Sequence, residues 1–193
     1  MLAYVFWHWP FPNVEVEAYE QRLAAFQRAL AAEGPRGFQR AAVFRLPGAP
    51  WLSGEPRGYE DWYLVDGFAA LEALNQGAVS AWAGPDHDRA AVLAAGGTAG
   101  LYRHYGGDAL ATAGRFATWF SKPAGVSYAD LEARLRPWFE QPGVGVWQRQ
   151  MTLGPTREFC LRSPARLDLP SDLDALTLEV EQIWPLESGA ADR

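Results

Sequence analysis

The 193-residue chain is 49% hydrophobic and 21% charged, with 17 Lys plus Arg against 23 Asp plus Glu and a formal net charge of -6. It is long enough to bury a core as one domain or two small ones, and its scattered basic residues set nucleic acid aside as a partner. One cysteine, Cys160, excludes an internal disulfide and a multi-cysteine metal cluster.

The first run, Leu2 to His8, is rich in aromatic and β-branched residues and is stopped by Pro10 and Pro12, which predicts a strand. Its start has no basic region or cleavage-like site, and its apolar run ends at His8. The expectation is therefore a cytoplasmic protein with no signal peptide and no membrane segment. From Val14 to Glu33 the period becomes helical, with Tyr19, Leu23, Phe26 and Leu30 on one stripe, and Gly34 and Pro35 end it.

Gly37 to Leu46 and Tyr59 to Val65 read as an antiparallel pair, joined by a long Pro- and Gly-rich loop that carries Trp51. A second helix is predicted over Gly67 to Ser80, burying Phe68, Leu71, Leu74 and Val79. A short helix follows from Gly84 through Leu93 with Asp86 as its N-cap. Gly96, Gly97 and Gly100 then mark a turn into a strand from Leu101 to Tyr105, completing the order βαββαβ.

The pattern restarts with a strand over Phe116 to Ser121, a helix over Tyr128 to Glu140, and strands over Gly145 to Leu153 and Arg157 to Arg162. A last strand runs about Leu176 to Trp184, and in this half only Ser163 to Ala175, broken by two prolines, stands where the second helix would be. Three short matches link the halves: Phe6 to Pro10 with Trp119 to Pro123, Tyr19 to Leu23 with Leu131 to Leu135, and Phe38 to Arg40 with Trp147 to Arg149. They predict a duplicated unit, with repeats at 1–108 and 109–186 and a flexible tail at 187–193.

Two such units, with aromatic-rich strands, resemble tandem ferredoxin-like domains and are similar to the dimeric α+β barrel superfamily. The resemblance implies an α+β fold in which two ferredoxin-like βαββαβ repeats set antiparallel sheets facing each other, an intrachain pseudo-dimeric barrel, as monomer or homodimer. Members include cofactor-free monooxygenases, isomerases, and haem enzymes such as dye-decolourising peroxidases and chlorite dismutases. Fold alone does not choose among them.

All three histidines lie in the first half, where His8 matches Ser121 of the second. His8 at a strand end suits a base or a hydrogen-bond donor, and equally a histidine satisfied by backbone. His87 between Asp86 and Asp88 suits a ligand or metal contact, with a solvated helix start as the plainer reading. Strand alternation puts Tyr102 and His104 on one face, and puts Tyr59, Asp61 and Tyr63 opposite Glu60, Trp62 and Leu64, so either carboxylate could face inward.

The leading expectation is a pocket in the barrel interior of the first half for a small apolar or aromatic molecule. It would be lined by Trp7, Trp9, Trp51, Asp61, Trp62, His87 and Tyr102, with His8 and His104 as polar or catalytic anchors. The alternatives are a cofactor-independent monooxygenase or isomerase with a histidine base, a haem protein with one axial histidine, and a dry scaffold whose aromatic residues are core. No GxSxG, HExxH, Walker or Rossmann pattern occurs, no metal site is expected, and no cofactor is called for beyond the haem alternative.

Overall fold

In a computed structural model, which describes residues 1–109 and 114–185, the chain forms one antiparallel sheet of nine strands with four α-helices. The elements run β1 (Leu2–Pro10), α1 (Val16–Glu33), β2 (Phe38–Pro47), β3 (Arg57–Val65), α2 (Phe68–Ala78), α3 (Gly84–Ala91) and β4 (Ala94–Gly107). Then come β5 (Phe116–Phe120), α4 (Tyr128–Phe139), β6 (Gly145–Arg149), β7 (Phe159–Ser163), β8 (Leu176–Glu179) and β9 (Glu181–Trp184). The expected tail at 187–193 lies outside the described residues.

Spatial order is β8-β5-β7-β6-β4-β1-β3-β2-β9. The two facing sheets expected from sequence are thus continuous, joined where β4 pairs with β6. The ends of the sheet, β8 and β9, are successive pieces of one segment broken at Val180, β8 pairing with β5 and β9 with β2. One strand-like segment therefore grips both edges, and the sheet curls into a nearly closed barrel, which leaves little free edge.

Alternation along β1 and β3 sends side chains to two different cores. Ala3, Val5, Trp7, Trp62 and Leu64 enter the barrel centre. Leu2, Tyr4, Phe6, Tyr63 and Val65 face the helices. The centre is packed ring on ring: Trp7 meets Trp51, Trp119 and Tyr102 at centroid distances of 5.9, 5.6 and 6.2 Å, and Trp62 meets Trp147 at 5.6 Å. Each edge-to-face pair is worth about 0.5–1.5 kcal/mol beyond its burial. Within it, Glu60 pairs with Arg162 at 2.8 Å, both almost wholly buried, and accepts the Trp7 indole N–H at 2.8 Å.

Several expectations change. In α2, Phe68 and Val79 are 64% and 60% exposed, while Ala70, Leu74 and Gly77 take the buried positions. The helix starts at Phe68 and turns Ala70, Leu74 and Gly77 inward, which leaves Phe68 at its start and Val79 just past its end outside. Asp86 is not the N-cap of α3: the cap is Ala83, and Asp86, inside the first turn, accepts from Arg89 at 2.6 Å.

The glycines before Leu101 lie within β4, because aromatic rings cover them. A Cβ on Gly97 would stand 2.5 Å from the Phe6 ring, and one on Gly96 2.6 Å from that of Trp9. β6 ends at Arg149, four residues short of the predicted Leu153, since Met151 has a φ of 51° and breaks the ladder.

Two of the three sequence matches also fall out of step with the faces. Trp119 points into the barrel as Trp7 does, so Phe120, facing α4, occupies the place that His8 has in the first half. Ser121 lies just past β5, exposed. Phe38 faces the helices, whereas its match Trp147 faces the centre. A shift of one residue in a strand exchanges its faces, and a short motif match does not register that.

Candidate functional site

On the helix side of the first half, the outer faces of β1, β3 and β4 and the helices α1, α2 and α3 enclose a cavity of about 510 Å³. Its walls are mostly apolar, including Phe6, Leu23, Phe26, Leu30, Leu71 and Leu74. The exposed Asn75 and Val79 and the half-exposed His87 mark its mouth, and His8, Tyr19, Asp61 and Tyr63 form its polar end. Helical spacing puts Tyr19, Leu23, Phe26 and Leu30 on the buried stripe of α1. Strand spacing puts His8 and Asp61 on the sheet beneath them.

His8 is 2% exposed, and both ring nitrogens are held: Nδ1 lies 2.7 Å from the Tyr19 hydroxyl and Nε2 3.0 Å from Asp61 Oδ1. Phe6 and Tyr59 flank the ring at 5.2 and 5.6 Å, near parallel at 20° and 14°. The other Asp61 oxygen accepts from the Tyr63 hydroxyl at 2.7 Å and from Gln27 Nε2 at 3.2 Å. Gln27 also donates to the Tyr63 hydroxyl at 2.8 Å.

Burial, reinforced by the charge of Asp61, raises the ionisation of Tyr19 and Tyr63 well above the usual phenol range. Burial, with Glu20 beside it, pushes Tyr59 up to about 12. The tyrosines around the histidine are therefore neutral hydroxyls at ordinary pH. Because a carboxylate only accepts, a neutral His8 carries its proton on Nε2 and receives the Tyr19 hydrogen on Nδ1. This is a hydroxyl–imidazole–carboxylate relay, an arrangement suited to moving a proton or anchoring one polar group of a ligand.

The residues named from sequence separate into three places. His8 and Asp61 form the polar end of the cavity, and His87 sits at its mouth, its ring edge-on to Phe26 at 5.4 Å and its Nδ1 on Asp88 at 3.1 Å. Trp7, Trp51, Trp62 and Tyr102 lie on the other side of the sheet in the packed barrel centre, with Trp9 against that cluster, so they do not line this cavity. The cavity and the aromatic core occupy opposite faces of one sheet because alternate residues of a strand cannot share a side.

His104 stands apart. His8 is opposite Gly97 on β4, and His104 is seven residues further along, about 23 Å at ~3.3 Å per residue. It also lies on the inner face, its ring edge-on to Trp147 at 5.4 Å, with burial lowering its pKa. His8 and His104 therefore do not act as one pair. Among the described residues, no three His, Cys, Asp or Glu side chains gather to hold a metal.

Sequence reasoning passed over Tyr19, Gln27 and Tyr63 as site residues. The signal for Gln27 was present: it is an amide on the buried face of α1, one turn after Leu23.

No family model matches the chain, and no curated protein matches it in sequence. Solved structures do. A "putative monooxygenase" from Lactobacillus acidophilus NCFM superposes with a TM-score of 0.52 at 9% identity, covering 94% of this chain and 94% of that one. A "putative chlorite dismutase", TA0507, superposes with a TM-score of 0.50 at 10% identity, covering 94% and 95%. The fold is an α+β barrel. At these identities the likeness extends to architecture alone. No helix of the described residues is long and apolar enough to cross a membrane.

A haem would need an axial ligand and cationic partners for its two carboxylates. His8, at the polar end, has both nitrogens held, and neither Lys nor Arg lines the cavity to pair with the carboxylates. The lining does not fit haem.

Proposed function

We propose that this protein binds a small, largely apolar molecule in the cavity between the sheet and α1–α3, with the His8–Asp61–Tyr19 relay meeting its one polar group. The observation that carries this reading is a 510 Å³ cavity with mostly apolar walls and a buried, hydrogen-bonded polar cluster at one end. Ligand sites have this composition, many apolar walls and few placed polar groups. The site moves from the barrel interior expected from sequence to the opposite face of the same sheet.

A second reading, a cofactor-independent monooxygenase or isomerase with His8 as base, draws support from the relay itself, in which Asp61 orients the imidazole and Tyr19 carries its reach into the cavity. We also read 1–108 and 109–186 as two units, on the strand orders β4-β1-β3-β2 and β8-β5-β7-β6, which repeat position for position.

Binding of 2-naphthol, followed by calorimetry, tests the main reading. Ala78→Phe projects a ring into the cavity from α2 at a half-buried position. It should weaken binding at least tenfold while changing stability by less than about 1 kcal/mol. Equal binding by the filled variant would place the ligand elsewhere.

A further inference from the structure

The polar end of the cavity has a direction, which follows from counting its hydrogens. With His8 neutral, the Tyr19 hydroxyl gives its hydrogen to His8 Nδ1, and His8 gives its own to Asp61. Tyr63 gives its hydrogen to Asp61, and Gln27 Nε2 gives to both Asp61 and the Tyr63 oxygen. Every donor in the cluster is engaged internally. What remains is accepting capacity: the lone pairs of the Tyr19 oxygen and the one Asp61 site not taken by His8, Gln27 or Tyr63, with Gln27 Oε1, buried without a partner among the described residues, just behind the lining.

The surrounding charge has the same sign. The Asp61 carboxylate stands at the polar end of the cavity, Lys and Arg are absent from its lining, and Tyr4, Phe6 and Phe26 are among the aromatic residues that line it. A carboxylate ligand would meet acceptors and a like charge beside side chains that are themselves almost wholly buried, a costly arrangement. A hydroxyl or an ammonium would supply the missing hydrogen, and an ammonium would also find ring faces that attract cations.

We propose that the cavity selects apolar molecules that carry a hydrogen-bond donor, a hydroxyl or an amine, at the end that reaches Tyr19 and Asp61, and rejects carboxylates. This rests on the reading of the cavity as a ligand site and adds the polarity of the ligand to it. Tyr19 is then the residue that touches the ligand's donor, and His8 sets the direction in which the Tyr19 hydroxyl faces.

The test uses four molecules with one apolar body: 2-naphthol, 2-(aminomethyl)naphthalene, 2-methoxynaphthalene and 2-naphthoate. Their affinities would be measured by calorimetry on the full chain at about pH 8, above the ordinary imidazole range. At least one of the two donors should bind tenfold or more tightly than the methoxy compound, with naphthoate the weakest of the four. Which donor binds distinguishes a neutral hydroxyl site from an ammonium site.

In Tyr19→Phe and in Asp61→Asn the donor-to-methoxy ratio should fall toward one, methoxynaphthalene binding reporting that the cavity still forms. Equal binding of the methoxy compound, preference for naphthoate, or a ratio unchanged in both variants would overturn the donor rule while leaving the cavity as a ligand site. Binding of none of the four would overturn the ligand site and the rule with it.

Discussion

Glu60 and Asp61 are neighbours on β3, as Trp7 and His8 are on β1, and in each pair one residue faces the barrel centre and the other the helices. Both carboxylates are buried, yet their surroundings differ in kind. Glu60 is neutralised by Arg162 from β7, whose guanidinium lies 4.1 Å from the Phe44 ring centroid, in a space filled by indoles. Asp61 is held by neutral donors and an imidazole, beside a cavity. A charge matched inside the chain belongs to architecture, and a charge with accepting capacity left beside a void belongs to a site.

The helix side of the second half extends the contrast. There Phe120 and Phe159 stack at 5.3 Å, and Leu131 and Leu135 of α4 close over them with Leu173. That side is a plain apolar core.

The largest expected effect breaks the inner member of the comparison. Arg162→Met leaves Glu60 buried without its ion pair and should cost about 3–5 kcal/mol in urea unfolding. Pairing it with Glu60→Leu should recover most of that loss. If the single variant cost less than about 1 kcal/mol, the inner face would not depend on the matched charge.

The outer member should give a smaller loss of stability and a larger loss of binding. His8→Leu leaves Asp61 and Tyr19 each short of a partner, an expected cost of about 1–3 kcal/mol. It should also weaken 2-naphthol binding at least tenfold, whereas Arg162→Met, where it still folds, should leave that binding within about threefold. Equal effects of the two variants on binding would erase the functional distinction between the faces.

The smallest effect concerns His104, whose pKa burial lowers. The unfolded chain then binds a proton more readily than the folded one, so this residue's contribution is present above the ordinary value of about 6.5 and is lost as pH falls through it. His104→Gln should therefore lose less stability than the parent between pH 8 and pH 5.5. Ligand affinity should be unaffected, since His104 lies on the inner face; an altered affinity would tie the two faces together.

Much of the site was within reach of the sequence. His8 is the histidine that the comparison of the two halves sets apart, and alternation puts Asp61 on one strand face with Tyr59 and Tyr63; both His8 and Asp61 lie at the polar end of the cavity. The stripe Tyr19, Leu23, Phe26, Leu30 on α1 is the helical wall of the cavity. The error lay in assigning the hollow to the Trp side. Large rings suit both pocket walls and core, and nothing local says which face of a two-sided sheet has its space filled. The long loop that carries Trp51 turns that ring into the barrel centre, a packing that no local pattern foretells.

By itself the sequence determined the order of strands and helices, the ends of α1 through its apolar stripe and the left-handed Gly34, and the two-sided burial of β1 and β3 through their alternation. Those are consequences of chain periodicity, turn chemistry and backbone sterics, all of which act over a few residues. Tertiary structure alone decided that the two sheets join at β4 and β6, that β8 and β9 close the barrel, and that Arg162 reaches Glu60 from 102 positions away. It also decided that three helices roof one side of the sheet without filling it. Volume left between packed elements depends on how all of them meet, and no single segment encodes it.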